Sequence, residues 1–221
     1  MDRPSPNHDD RDGAPVDMLV LHYTGMPTAE AALERLCDPA AKVSAHYTID
    51  EEGTIYAHVP EARRAWHAGV SFWAGAADIN ARSIGIELVN PGHAFGYRPF
   101  PDAQVQALIT LCHGILLRHP IPSARVLGHS DVAPARKEDP GELFPWERLA
   151  KAGIGLWPVS QDSTLGAEAL PRYGYDPSAP VEAVIRAFQR HFRPLRVDGI
   201  WDRDCARLLQ SLLAKLPSPA V

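Results

Sequence analysis

Residues 128–141 read Gly-His-Ser-Asp-Val-Ala-Pro-Ala-Arg-Lys-Glu-Asp-Pro-Gly. Pro134, Pro140 and the flanking Gly128 and Gly141 make a structured loop the expected conformation rather than a helix. Side chains that do chemistry usually sit on such loops. His129 and Asp139 are ten residues apart, far enough for the loop to fold back and aim an imidazole and a carboxylate at one point. That mixture of donors suits a catalytic zinc ion. The third ligand has to come from elsewhere, and His22 is the best candidate. It ends the apolar run Met18-Leu19-Val20-Leu21 and would project from the tip of a buried strand.

The elements around this loop alternate. A strand over 17–22 is followed by a helix with Thr28 as N-cap and Leu33, Leu36 and Cys37 on its apolar face, ended by Pro39. Residues 44–50 and 54–59 flank Glu51-Glu52-Gly53 as a β-hairpin. A strand over 83–90 stops at Pro91-Gly92. A helix over 102–119 carries Val105, Leu108, Ile109, Cys112, Ile115 and Leu116 at helical spacing. A strand over 124–127 then delivers His129. This order predicts an α/β domain with a mixed central β-sheet flanked by helices.

The other segments complete a division into four. Residues 1–16 read as a poorly ordered N-terminal arm with a solvated His8, 17–158 as the main domain, 159–171 as a linker, and 172–217 as a small helical domain. In the last, Val181, Val184, Ile185, Phe188 and Phe192 mark one helix and Cys205, Leu208, Leu209 and Leu212 another. So small a core is marginal alone and is expected to dock on the first domain.

Composition narrows the function. A formal charge of −5 with no run of Lys and Arg argues against nucleic acid as a partner. No stretch is apolar enough for membrane insertion, and the polar residues 1–16 lack the apolar core of a leader. A cytoplasmic protein is the expectation. Cys37, Cys112 and Cys205 have no C-x-x-C spacing and are read as free thiols packed within helices.

Glu87 interrupts the apolar side chains of its strand, and a buried acid needs a partner or a function. With a metal on His22, His129 and Asp139, Glu87 is the acid available as general base. Lys137, two residues before Asp139, offers an ammonium to a developing oxyanion. His46 and His67 are candidates for substrate hydrogen bonds or a fourth ligand. The remaining histidines, His191 among them, are read as packed or solvated. Together the parts describe metal-assisted amide hydrolysis. A plainer reading makes His22 a core histidine, pairs Glu87 with Arg82 or Lys137, and leaves Lys137 as surface charge.

Five motifs in order then carry a resemblance: Leu-His-Tyr-Thr at 21–24, Ser-Ala-His-Tyr at 44–47, Ala-Trp-His-Ala-Gly at 65–69, Ser-Ile-Gly-Ile-Glu at 83–87, and the whole of 128–141. Residues 17–158 resemble the zinc-dependent type 2 N-acetylmuramoyl-L-alanine amidases, whose fold is shared with peptidoglycan recognition proteins. The resemblance implies one zinc ion held by His22, His129 and Asp139, Glu87 as base and Lys137 as oxyanion-stabilising cation. It makes His46, His67, Trp66 and Asn80 candidates for substrate contact. It also implies cleavage of the amide between the lactyl group of N-acetylmuramic acid and L-alanine, in peptidoglycan fragments, some with 1,6-anhydro sugars, or in murein; a monomer is the separate expectation. Residues 172–217 resemble a three-helix peptidoglycan-binding domain through Ala-Phe-Gln-Arg-His-Phe and Val-Asp-Gly-Ile-Trp-Asp. Rival readings are a non-catalytic receptor for such fragments and a zinc peptidase.

Overall fold

The computed structural model describes residues 1–217. Its centre is a five-stranded sheet in the order β4-β3-β6-β2-β7, formed by β2 (Met18–Tyr23), β3 (Tyr47–Ile49), β4 (Ile55–Ala57), β6 (Ser83–Leu88) and β7 (Val126–Gly128). The β3–β4 pair is antiparallel, and the β3–β6, β6–β2 and β2–β7 pairs are parallel. This is the expected mixed sheet. Two further short strands, β1 (His8–Asp9) and β5 (Arg64–Ala65), pair with each other.

Met18, Leu19, Val20 and Leu21 are all fully buried, as befits a central strand covered on both faces. Leu19 and Leu21 join Ile84, Ile86 and Leu88 beneath α4 (Asp102–Arg118), whose Val105, Leu108, Cys112 and Ile115 form its apolar stripe. Gln104 ties this helix to the sheet, its Nε2 donating to Ile49 O at 2.9 Å and Val89 O at 3.0 Å. α1 (Ala29–Cys37) starts where predicted, with Thr28 accepting from Ala31 N. The short α2 (Ile79–Arg82) and α3 (Gly92–Phe95) flank β6.

On the opposite face Met18, Val20 and Leu127 share one core with Trp73, Tyr175, Phe188, Phe192, Leu209 and Leu212. The C-terminal segment therefore completes the cover of the sheet. It holds α7 (Val181–Phe192) and α8 (Arg203–Leu213), with α6 (Trp146–Lys151) preceding them. Its third helical element is a 3₁₀ helix over Ala167–Arg172 containing Pro171. A proline and only six residues suit that tighter, shorter form better than an α-helix.

Two expectations are corrected. The loop over 128–141 opens with one helical turn, α5 (His129–Val132), made possible because its prolines come later. The N-terminal arm is not loose. Met1 donates its amino group to Ile55 O at 2.7 Å, Arg3 N bonds to Ala57 O, and the Asn7 side chain donates to Asp38 O and Val43 O, both at 2.8 Å. His8 lies in β1, half-buried rather than fully solvated, and accepts from Arg63 Nε. Arg11 is buried and donates to Ala81 O at 2.6 Å, Ser83 O at 2.9 Å and Glu61 O at 3.0 Å. A polar composition conceals such bonds because their partners are backbone carbonyls scattered along the chain.

Candidate metal and catalytic site

Sheet register assembles the site. His22 on β2 is the direct partner of Glu87 on β6, and Leu21 is the partner of Gly128 on β7, so His129 emerges beside His22. These positions lie at the carboxyl ends of parallel strands, where open α/β sheets place their ligands. The 128–141 loop then returns, with Ser130 N bonding to Asp139 O at 2.9 Å, and sets Asp139 against both histidines.

His22 Nδ1, His129 Nδ1 and Asp139 Oδ2 lie 3.0 Å from one another. All three residues are buried. The surrounding bonds decide where the protons are. Ser83 Oγ donates to Ile79 O at 2.6 Å, so it accepts from His67 Nε2, 3.1 Å away. His67 Nδ1 is then an acceptor and takes the proton of His22 Nε2 at 3.0 Å. His129 Nε2 donates to Ala68 O at 3.1 Å. Both Nδ1 atoms are thus left with lone pairs turned toward a carboxylate oxygen that also only accepts. Three facing lone pairs repel unless a cation lies among them. The donor set fits a divalent metal, as two imidazoles and a carboxylate should.

The electrostatics agree. Burial, then the neighbouring His129, brings the His22 pKa down to about 4, which keeps the ring neutral.

Glu87 faces a cleft of about 390 Å³ that also exposes His67, Trp66, His129, Lys137 and Asp139, with Arg35 toward α1. Burial, reinforced by Asp139, raises the Glu87 carboxyl well above its ordinary value, while Lys137 opposes the shift. The plainer pairing with Arg82 does not occur: Arg82 bonds to Asp17. Glu87 Oε2 is buried with no hydrogen-bond partner among the described residues.

The expected substrate contacts separate. Trp66 and His67 line the cleft, although His67 is also the support of His22. His46 and Asn80 do not line it. His46 is fully buried, its Nδ1 accepting from Gly85 N at 3.0 Å and its Nε2 lying 2.9 Å from Arg11 and 3.1 Å from Arg63 O. Burial and then Arg11 bring its pKa down to about 3. Asn80 Oδ1 accepts from His67 N and Ala68 N at 3.1 and 2.8 Å, fixing the loop that carries His67. Both residues are framework.

Ser83 and Gly85 lie within the 83–87 motif, where only Glu87 was given a role, and both support the site. A Cβ on Gly85 would stand 2.5–2.7 Å from the His67 ring, so only glycine lets that ring lie against β6. The signal was in the alternation: Ser83, Gly85 and Glu87 share one face of their strand.

Residues 12–142 match the family described as N-acetylmuramoyl-L-alanine amidase. The chain belongs to this family. It is an amide hydrolase of that class. Over 232 residues it is 39% identical to the N-acetylmuramoyl-L-alanine amidase AmiD of Escherichia coli strain K12, covering 90% of this chain and 83% of that one. It is 37% identical over 165 residues to the 1,6-anhydro-N-acetylmuramyl-L-alanine amidase AmpD of Enterobacter cloacae, covering 66% of this chain and 86% of that one. Its fold is similar to that of E. coli AmiD in complex with the substrate anhydro-N-acetylmuramic acid-L-Ala-D-gamma-Glu-L-Lys, with a TM-score of 0.82 at 36% identity over 95% of this chain and 98% of that one. That likeness extends beyond the family match into the C-terminal helices.

Proposed function

We propose that the chain is a zinc enzyme that hydrolyses the amide between the lactyl group of N-acetylmuramic acid and L-alanine in soluble peptidoglycan fragments, including those with a 1,6-anhydro sugar. The observation that carries this reading is the convergence of three unprotonated donor atoms near an acid whose buried Oε2 has no partner among the described residues, in a chain of the amidase family. His22, His129 and Asp139 would hold the ion. When bound, zinc supplies a Lewis acid for the scissile carbonyl and lowers the pKa of a water.

The protein's own groups do the remainder. Glu87, with its raised proton affinity, takes a proton from the attacking water and returns it to the departing amine of L-alanine. Lys137 supplies positive charge on the same cleft wall, where the carbonyl oxygen gains negative charge. Trp66 offers a flat apolar surface to the substrate beside them.

A fragment substrate suits a turnover or recycling role, with cytoplasmic action as the reading drawn from the sequence. Among the described residues no helix is long and apolar enough to cross a membrane. The test is mass spectrometry of products after the zinc-loaded protein meets anhydromuropeptides and, separately, intact murein. Free stem peptide beginning with L-alanine is expected from the fragments. Cleavage between amino acids with the sugar–alanine amide intact would refute the proposal. Cell fractionation tests the compartment.

A further inference from the structure

One buried carboxylate in the structure lies outside the cleft and yet touches the turn that bears a metal ligand. Asp131 is two residues beyond His129, within α5, and is only 1% exposed. Its Oδ2 accepts from Gly128 N at 2.7 Å and from His191 Nδ1 at 2.7 Å. Its Oδ1 accepts from the Tyr175 hydroxyl at 2.7 Å. One bond is local and closes the turn that aims His129. The other two come from 60 and 44 residues further along the chain, in the C-terminal segment.

The donors are themselves fixed. The His191 ring is stacked between Trp146, at 3.7 Å between centroids, and Phe192, at 3.8 Å. Tyr175 is fully buried and meets Trp73 edge-on at 4.9 Å. Gly128 is closely packed on its other side, where a Cβ would meet Pro140 Cδ at 2.8 Å, next to Asp139. A carboxylate with three short bonds in a dry site is oriented far more strictly than one at a surface.

From this clasp we infer that the C-terminal segment is a working part of the metal centre: His191 and Tyr175, acting through Asp131, are positioning residues that hold His129 in its ligating orientation. The inference rests on the reading of His22, His129 and Asp139 as the metal ligands. Direct hydrogen-bond partners of a ligand are worth about 10- to 100-fold in metal affinity; Asp131 acts one step further out, through the backbone of the turn that carries His129. The segment thus has a task at the hydrolytic site whether or not it also holds polymer.

Four single variants of the full chain test it: Asp131→Asn, His191→Phe, His191→Asn and Tyr175→Phe. Asp131→Asn keeps the shape but turns an NH₂ toward one side of the donor array. His191→Phe keeps the stack and removes the donor. His191→Asn places an amide NH₂ near the position of Nδ1 and gives up the stack. Each apo protein is titrated with Zn²⁺ against a chromophoric chelator, the Co²⁺ form is examined by visible absorption, and kcat and KM are measured on an anhydromuropeptide.

Affinity for Zn²⁺ is expected to fall by up to about 10-fold in Asp131→Asn and His191→Phe, the lower end of the range for direct partners of a ligand, with an altered Co²⁺ spectrum and a fall in kcat rather than a rise in KM. His191→Asn should recover much of the loss. Tyr175→Phe should shift in the same direction by less, and it decides the matter if a stronger variant does not fold. Folded variants with the wild-type Zn²⁺ affinity and Co²⁺ spectrum overturn the inference. So does a His191→Phe that binds better than His191→Asn, since packing alone would then explain the residue. A wild-type protein that takes up neither ion removes the metal-site reading beneath it, a failure distinct from the other two.

Discussion

His22 and Glu87 are direct register partners on adjacent parallel strands, β2 and β6. A one-residue slip of either strand would turn one of them to the opposite face, into the core under α4. His22 and Glu87 are therefore placed by the same backbone hydrogen bonds that hold the sheet. Replacement of Glu87 should not disturb the metal. Glu87→Gln is expected to retain one equivalent of zinc after dialysis while kcat falls by about 10²- to 10⁴-fold. Metal analysis and turnover on the same sample check both halves of the statement.

Gly85→Ala tests the support of His22. The added methyl would collide with the His67 ring, which receives the Nε2 proton of His22 and passes its own to Ser83. Displacing that ring frees His22 to adopt the other tautomer, with a proton where a lone pair is needed. Zinc affinity is expected to fall about 10- to 100-fold, with secondary structure by circular dichroism unchanged. Ser83→Ala should act in the same direction. Chelator competition is the measurement, and wild-type affinity in Gly85→Ala would sink the idea.

His46 makes acid stability predictable in sign. Its pKa is about 3 in the folded chain, lowered by burial and by Arg11, against about 6.5 when unfolded. Between those values the unfolded chain binds a proton that the folded one refuses, so stability rises with pH. The contribution is complete above the unfolded pKa and is lost as pH falls toward the folded one, at about 1.4 kcal/mol per unit. Denaturant unfolding of the metal-free protein between pH 6.5 and 4 should show this slope. His46→Gln, which does not titrate, should reduce it by about one proton's worth.

The cluster of His22, His129 and Asp139 with Glu87 nearby was legible in the sequence because its signals are local: His129 and Asp139 share one loop, and Glu87 is an acid in an apolar strand. His46 was misread for a reason of depth. It lies at the level of Gly85, two residues below Glu87 on the same strand face, with the His67 ring 5.8 Å away and Arg11 closing its other side. Sequence spacing gives the face of a strand but not how far down that face a cleft reaches. Asp131 and His191 went unseen as a pair because 60 residues separate them. Only the docking of α7 on the sheet brings them together.

Arg11 is the last test, because it makes the N-terminal segment answerable for the framework of the site. Its guanidinium spans the carbonyls of Ala81 and Ser83, at the start of β6, and also reaches Nε2 of His46. Burial lowers its pKa to about 10, still far above neutrality, so it remains a cation at physiological pH. Arg11→Ala leaves the carbonyls of Ala81 and Ser83 without this donor, at about 1–3 kcal/mol for each one that water cannot reach. A loss on the order of 3 kcal/mol in denaturant unfolding is expected, with the zinc site weakened less than by Gly85→Ala, because Arg11 touches the layer beneath His67 rather than His67 itself. Arg11→Lys should not restore the stability, since one ammonium cannot match a planar fork that serves several acceptors at once. Full stability in Arg11→Ala would show that water replaces the guanidinium and that the segment is only attached to the sheet, not part of its support.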